Sequence, residues 1–101
     1  MNKRLKVHEF LTQTINCSHV YYQPPENIKM VYPAIVYTLI DISNYCSGGG
    51  IYLQLETYKI TLITKEVDSD LFNTMIAQLS LKFQTPFVSD NLHHYVFNMV
   101  V

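Results

Sequence analysis

Apolar residues near the start of the chain fall at Val7, Phe10, Leu11 and Ile15, with Arg4, Glu9 and Gln13 between them. That spacing places the apolar set on one face of a helix running from Asn2 to Ile15. Asn16, Cys17 and Ser18 continue a helix poorly, and Val20, Tyr21 and Tyr22 favour extended backbone, so a short strand is expected next. Pro24 and Pro25 withdraw two backbone donors and fix extended geometry, which makes Gln23 to Met30 a surface loop.

From Val31 to Ile42 apolar and aromatic residues occupy both alternating faces, Ile35, Tyr37 and Leu39 on one and Ala34, Val36 and Ile40 on the other. A strand covered on both sides is predicted, with Pro33 near its start or beside an unpaired edge. Ser43 to Gly50 ends in a glycine triplet with no side chains to pack, and is expected to be the tip of a long hairpin. The return arm, Ile51 to Thr64, changes phase: Leu53 and Leu55 are apolar near the tip, whereas Tyr58, Ile60 and Leu62 are apolar nearer the base. One register cannot bury both sets on one face. Either a bulge near Glu56 re-aims the strand, or the distal half projects and presents Leu53 and Leu55 to another molecule.

Asp68, Ser69 and Asp70 offer an N-cap and first-turn acids ahead of Leu71, Phe72, Met75, Ile76 and Leu79, which predicts a second helix ending near Ser80. Phe83, Phe87 and Val88 follow around Pro86, a turn is expected at Asp90-Asn91-Leu92, and His94 to Val101 reads as a closing strand. The predicted order is α-β-β-β-α-β-β. It describes an α+β fold, an antiparallel sheet with two helices packed on it.

The chain of 101 residues suits one domain, taken here as 1–101, with one core. Hydrophobic residues make up 49% and charged residues 15%, against roughly 25% charged in an average domain. So small a domain has little interior for so many apolar side chains, and some are expected on outer faces that mark a partner interface. Seven Lys and Arg against eight Asp and Glu give a net charge of -1, which supplies no broad attraction to a phosphate backbone or an anionic bilayer. The one basic cluster, Lys3, Arg4 and Lys6, could touch DNA but is more often a solvated helix face. No stretch approaches the roughly 18 apolar residues of a membrane span, and the N-terminus lacks the apolar centre of a signal peptide, so a cytosolic protein is expected unless it is packaged into something larger.

Candidate chemistry is sparse. Cys17 and Cys46 lie in no metal-like spacing and are expected to be free thiols. His93 and His94 are adjacent on a predicted strand and point to opposite faces, so they cannot chelate one ion together. Ser43, Cys46 and Ser47 stand near glycines without a GxSxG pattern or a base at a recognisable offset, and the glycine triplet lacks the ending and helix context of a phosphate loop. Glu66, Asp68 and Asp70 lack the closing glutamate of a calcium loop and sit where a helix cap is needed. No catalytic residue, metal or cofactor is therefore expected. The eight tyrosines say more, because tyrosine buries a large area, keeps a polar handle and is enriched at interfaces. Tyr37 and Tyr58 are expected in the core, and Tyr45 and Tyr52, beside the glycine-rich tip, in contact with a partner.

Three segments resemble a known family. Val20-Tyr21-Tyr22-Gln23-Pro24-Pro25-Glu26-Asn27-Ile28-Lys29-Met30 runs into Tyr32-Pro33-Ala34-Ile35-Val36-Tyr37; Tyr58 to Asp70 joins a strand to an acidic turn before a helix; and Asp90-Asn91-Leu92-His93-His94-Tyr95-Val96-Phe97 follows. In this order they are similar to the small tail-completion, or tail-terminator, proteins of long-tailed phages of Gram-positive bacteria. The sequence departs from that pattern at Thr64-Lys65-Glu66-Val67, where the family has an acidic, proline-containing turn, and at Asn44-Tyr45-Cys46-Ser47 with its glycine triplet, where the family has a longer polar stretch. The resemblance implies a non-enzymatic virion protein, made in the host cytoplasm. It would form a ring of six copies at the head-proximal end of the tail, stop growth of the tube and meet the head-tail connector. Self, tail-tube protein and connector are the implied partners, and nucleic acid enters only as DNA passing through the ring. A ring needs two unlike patches per subunit, and an apolar hairpin arm and an unpaired sheet edge would supply them. Tyr45, Tyr52, Leu53 and Leu55 are the expected contact residues. The rival expectation is a generic dimeric α+β binding module whose exposed edge pairs two copies across a twofold axis.

Overall fold

The computed structural model describes residues 3–15, 19–23, 32–65, 70–78, 80–89 and 91–101, apart from the side chains of Ser47, Ile51 and Tyr52. The first helix, α1, spans Lys3–Glu9 and runs on as one π-helical stretch, Phe10–Thr14, closed by the Ile15 amide on the Phe10 carbonyl at 3.2 Å. The widened turn has a packing reason. A four-residue spacing overshoots a full turn of a 3.6-residue helix by about 40°, so Val7, Leu11 and Ile15 would drift off a straight α-helix face. A turn closed at i→i+5 takes up that drift. All three side chains are buried.

The sheet has five strands: β1 Val20–Tyr22, β2 Ala34–Ser47, β3 Gly50–Thr64, β4 Lys82–Ser89 and β5 Leu92–Val100, in spatial order β1-β2-β3-β5-β4. It is mixed, which corrects the expected antiparallel sheet: β1 pairs parallel to β2, with Val20 opposite Ile35 and Tyr22 opposite Tyr37. A connection of 23–33 is long enough to bring the chain back to the same end of the sheet, as a parallel pair requires and a tight hairpin does not allow. The remaining neighbours are antiparallel. The second helix, α2, spans Asp70–Ile76, shorter than expected. The expected Asp68-Ser69 cap, Leu79 and the 24–30 loop lie outside the described residues.

The register aligns the core. Ile35 stands opposite Leu62, Tyr37 opposite Ile60, and Ile60 opposite Phe97, so one face of β2, β3 and β5 presents a continuous apolar surface. Val7, Leu11 and Ile15 from the N-terminal helix and Met75 from α2 cover it. Each such side chain contributes roughly 1.5–3 kcal/mol on burial. Ile76, expected to point inward, is half exposed, because α2 turns only the Met75 stripe onto the sheet.

Candidate interaction surface

Two strands outrun the sheet. β5 ends where Val101 exchanges two backbone hydrogen bonds with Glu56, at 2.8 and 3.0 Å, and β1 ends beside Tyr37. Beyond those points β2 and β3 continue as a two-stranded arm from Asp41 to Glu56, and the molecule measures 51 × 31 × 24 Å. The expected loop of Ser43 to Gly50 is smaller than the sequence suggested. Pairing runs to Ser47 opposite Gly50 and leaves only Gly48 and Gly49 in the turn, at φ 62° and 86°. Two successive positive φ angles fit the twist of a tight hairpin and favour glycine at both positions.

The phase change is resolved on the other strand from the one expected. Leu39 pairs with Tyr58 and Asp41 with Thr57, so Ile40 is the extra residue of a bulge in β2, and β3 alternates through Glu56 without a break. Leu53 and Leu55 therefore sit on the face of β3 opposite to Tyr58, Ile60 and Leu62. Tyr45 pairs directly with Leu53, and Leu55 lies diagonally behind it opposite Ser43. Three of the four expected contact residues thus share one face of the arm; the side chain of Tyr52 lies outside the described residues. Tyr45 is 52% exposed, Leu53 45%, and Leu55 is partly covered.

The bulge also creates a second apolar surface. Ile42 pairs with Glu56 and so takes the helix-side face, where it is 48% exposed, and Ile40 is 51% exposed at the bulge. The apolar pattern of Val31 to Ile42 predicts that Ile40 lies in a strand covered on both sides. The arm has left the layer that would have covered it, so that expectation is corrected. Asn44 and Gln54 share the helix-side face, where the Gln54 amide donates to Asn44 Oδ1 at 2.9 Å. No charged residue occurs from Ile42 to Leu55, between Asp41 and Glu56 at the root of the arm.

At the opposite edge, β4 carries Phe87 and Val88 largely exposed. Pro86 sits within that edge strand, a usual device for blunting an open edge. Phe87 stacks on His94 with centroids 4.5 Å apart and planes at 15°, and His94 Nδ1 donates to the Leu92 carbonyl at 3.1 Å. His93 pairs with Val88 and His94 with Phe87, so the two histidines lie on opposite faces of the sheet. Among the described residues no three His, Cys, Asp or Glu side chains are grouped to hold a metal ion. Cys46 is exposed with a free thiol, and Cys17 lies outside the described residues. No helix among the described residues is long and apolar enough to cross a membrane.

Tyr37 and Tyr58 occupy the core as expected, and each keeps a partner for its hydroxyl. Tyr37 Oη shares a hydrogen bond with His8 Nδ1 at 2.9 Å, and Tyr58 Oη donates to Glu56 Oε1 at 2.6 Å. Burial pushes both phenols above their usual pKa; the Glu56 carboxylate pushes Tyr58 further up, while Arg4 pulls Tyr37 part of the way back. A phenol with a raised folded-state pKa contributes stability that is complete below its unfolded value of about 10 and is lost as pH rises beyond it. In urea unfolding at stepped pH, these two groups should leave the midpoint unchanged between about pH 7 and 9 and lower it above about pH 10. Tyr58→Phe should reduce that alkaline fall; a midpoint that rises above pH 10 would contradict the burial of these phenols.

The N-terminal basic cluster is not simply a solvated face. Arg4 lies over the Tyr22 ring at 5.1 Å, Lys3 reaches the backbone of the arm, and Lys6 is exposed.

No family model matches the sequence, and no curated protein matches it.

Proposed function

We propose that this chain is a structural virion protein of a long-tailed bacteriophage, a tail-completion protein. In this reading six copies form a ring on the head-proximal end of the tail, end tube growth and receive the head-tail connector. The fold element order α-β-β-β-α-β-β and the glycine-tipped hairpin belong to the same reading, as does the likeness of Val20 to Tyr37, Tyr58 to Asp70 and Asp90 to Phe97 to that family. The observation that carries it is the arm: Ile40, Ile42, Tyr45 and Leu53 are each about half exposed on or at the root of a two-stranded extension that has no charged residue from Ile42 to Leu55. A lone two-stranded hairpin is marginal in water, and exposed apolar patches of this kind mark interaction sites.

Ring closure requires a heterologous contact, in which one patch meets a different one on the next subunit. The arm projects from the β2-β3 part of the sheet, and β4 is the outermost strand on the other side. Two unlike surfaces at separate places on one subunit suit a ring better than a twofold dimer. The arm supplies the inserted element, with Tyr45, Leu53 and Leu55 on its outward face and Tyr52, next to them in sequence, as the contact residues. The decisive experiment is the mass of the purified chain by light scattering over a concentration series, alone and with tail-tube protein. A closed ring, formed alone or only on tubes whose growth it halts, supports the assignment, and a stable dimer indifferent to tubes overturns it.

A further inference from the structure

In an antiparallel ladder the backbone groups of residues i and i+2 on one strand point to the same edge. Both backbone groups of Glu56 are satisfied by Val101. Those of Gln54 therefore face the same edge one step beyond the Glu56–Val101 pair. The space beside the Gln54 carbonyl is filled from elsewhere in the sequence: the Lys3 ammonium donates to it and also to the Val101 carbonyl at 3.1 Å. One cation thus bridges Val101, the residue that follows β5, and Gln54 of β3. Lys3 is the first residue of α1, and α1 is anchored in the core by Val7. Nearby, on the helix-side face, Tyr58 holds the Glu56 carboxylate, while the ladder of β2 is interrupted at Ile40.

We infer that Lys3 is a latch that fixes the direction of the arm, coupling the N-terminal helix to the root of the hairpin so that the arm extends rigidly instead of swinging about the Ile40 bulge. The chemistry suits the task. An ammonium has three donors and no acceptor, so it can close two carbonyls at once, and a charged donor strengthens both bonds. A lysine at a strand end also discourages a foreign strand from adding to that edge. Among the described residues no strand pairs with the outer edge of β2 along the arm, from Asp41 to Ser47.

The test is amide hydrogen exchange on the full chain at low concentration, comparing the native protein with Lys3→Met and Lys3→Arg. Lys3→Met should speed exchange across 42–55 by about tenfold, the scale set by losing hydrogen bonds to a charged group, while amides of Tyr58 to Leu62 keep their native rates. Lys3→Arg should retain most of the native protection. Unchanged exchange in the arm of Lys3→Met would overturn the latch, and so would an equal rise in arm and core, which would make Lys3 a general stabiliser. The readout involves no assembly, so its failure leaves the ring reading standing.

Discussion

A chain carrying Tyr45→Ser and Leu53→Ser together is expected to stay folded and to lose most of its self-association. In the single subunit these side chains are 52% and 45% exposed and form a direct cross-strand pair. Docking on a partner would remove the remaining half of each from water. Full burial of such a side chain is worth roughly 1.5–3 kcal/mol, so the two remaining halves together contribute about 1.5–3 kcal/mol per contact. That is roughly ten- to hundredfold in affinity at each interface. Exposed positions of this kind change folding stability by only about 0.5 kcal/mol, so the urea midpoint should scarcely move. Light scattering and unfolding on the same samples separate the two effects. If association is unaffected while the fold is intact, the outward face of the arm is not the contact surface.

Phe97→Ala is expected to bring the domain close to unfolding. Phe97 is fully buried in β5, opposite Ile60 on one side and Phe83 on the other, and its ring lies 5.3 Å from Phe83 and 6.2 Å from Phe72. It therefore ties α2 and the outer strands to the central sheet. Truncating a buried Phe costs about 3–5 kcal/mol, out of a total stability of about 5–15 kcal/mol for a domain. At about 4–8 °C per kcal/mol for a domain near this size, the thermal midpoint should fall by roughly 12–40 °C. Phe97→Leu should lose far less, since it keeps most of the apolar volume. A loss under about 1 kcal/mol for the alanine variant would mean that the aromatic cluster is not a unit of the core.

The α+β class and much of the core were legible because periodicity speaks directly about faces. Tyr37, Ile35, Ile60 and Leu62 alternate as a half-buried strand should, and they are buried. The spacing puts Val7, Phe10, Leu11 and Ile15 on one helix face, where Phe10 is partly buried and the other three are in the core, yet the π-helical turn that keeps them there has no signature in apolar spacing. The parallel pairing of β1 was hidden for a different reason: three residues, Val20 to Tyr22, give no directional signal, and direction is set by how the chain returns to Ala34. The bulge could have sat at several places, since Leu39-Ile40-Asp41-Ile42 has apolar residues in both phases. Its true position at Ile40 is what makes Ile40 and Ile42 part of the candidate surface, and neither had been expected there. Lys3 was the least legible of all. Its partners are 51 and 98 residues away in sequence, and local patterning carries no information about such a meeting.

The most direct measurement is the mass of the native chain by light scattering across a concentration series, repeated with tail-tube protein present. The account predicts a closed ring many times the 11.8 kDa of one chain, formed alone or on tubes that then stop growing. A stable dimer, with tubes that lengthen as if the chain were absent, would contradict it.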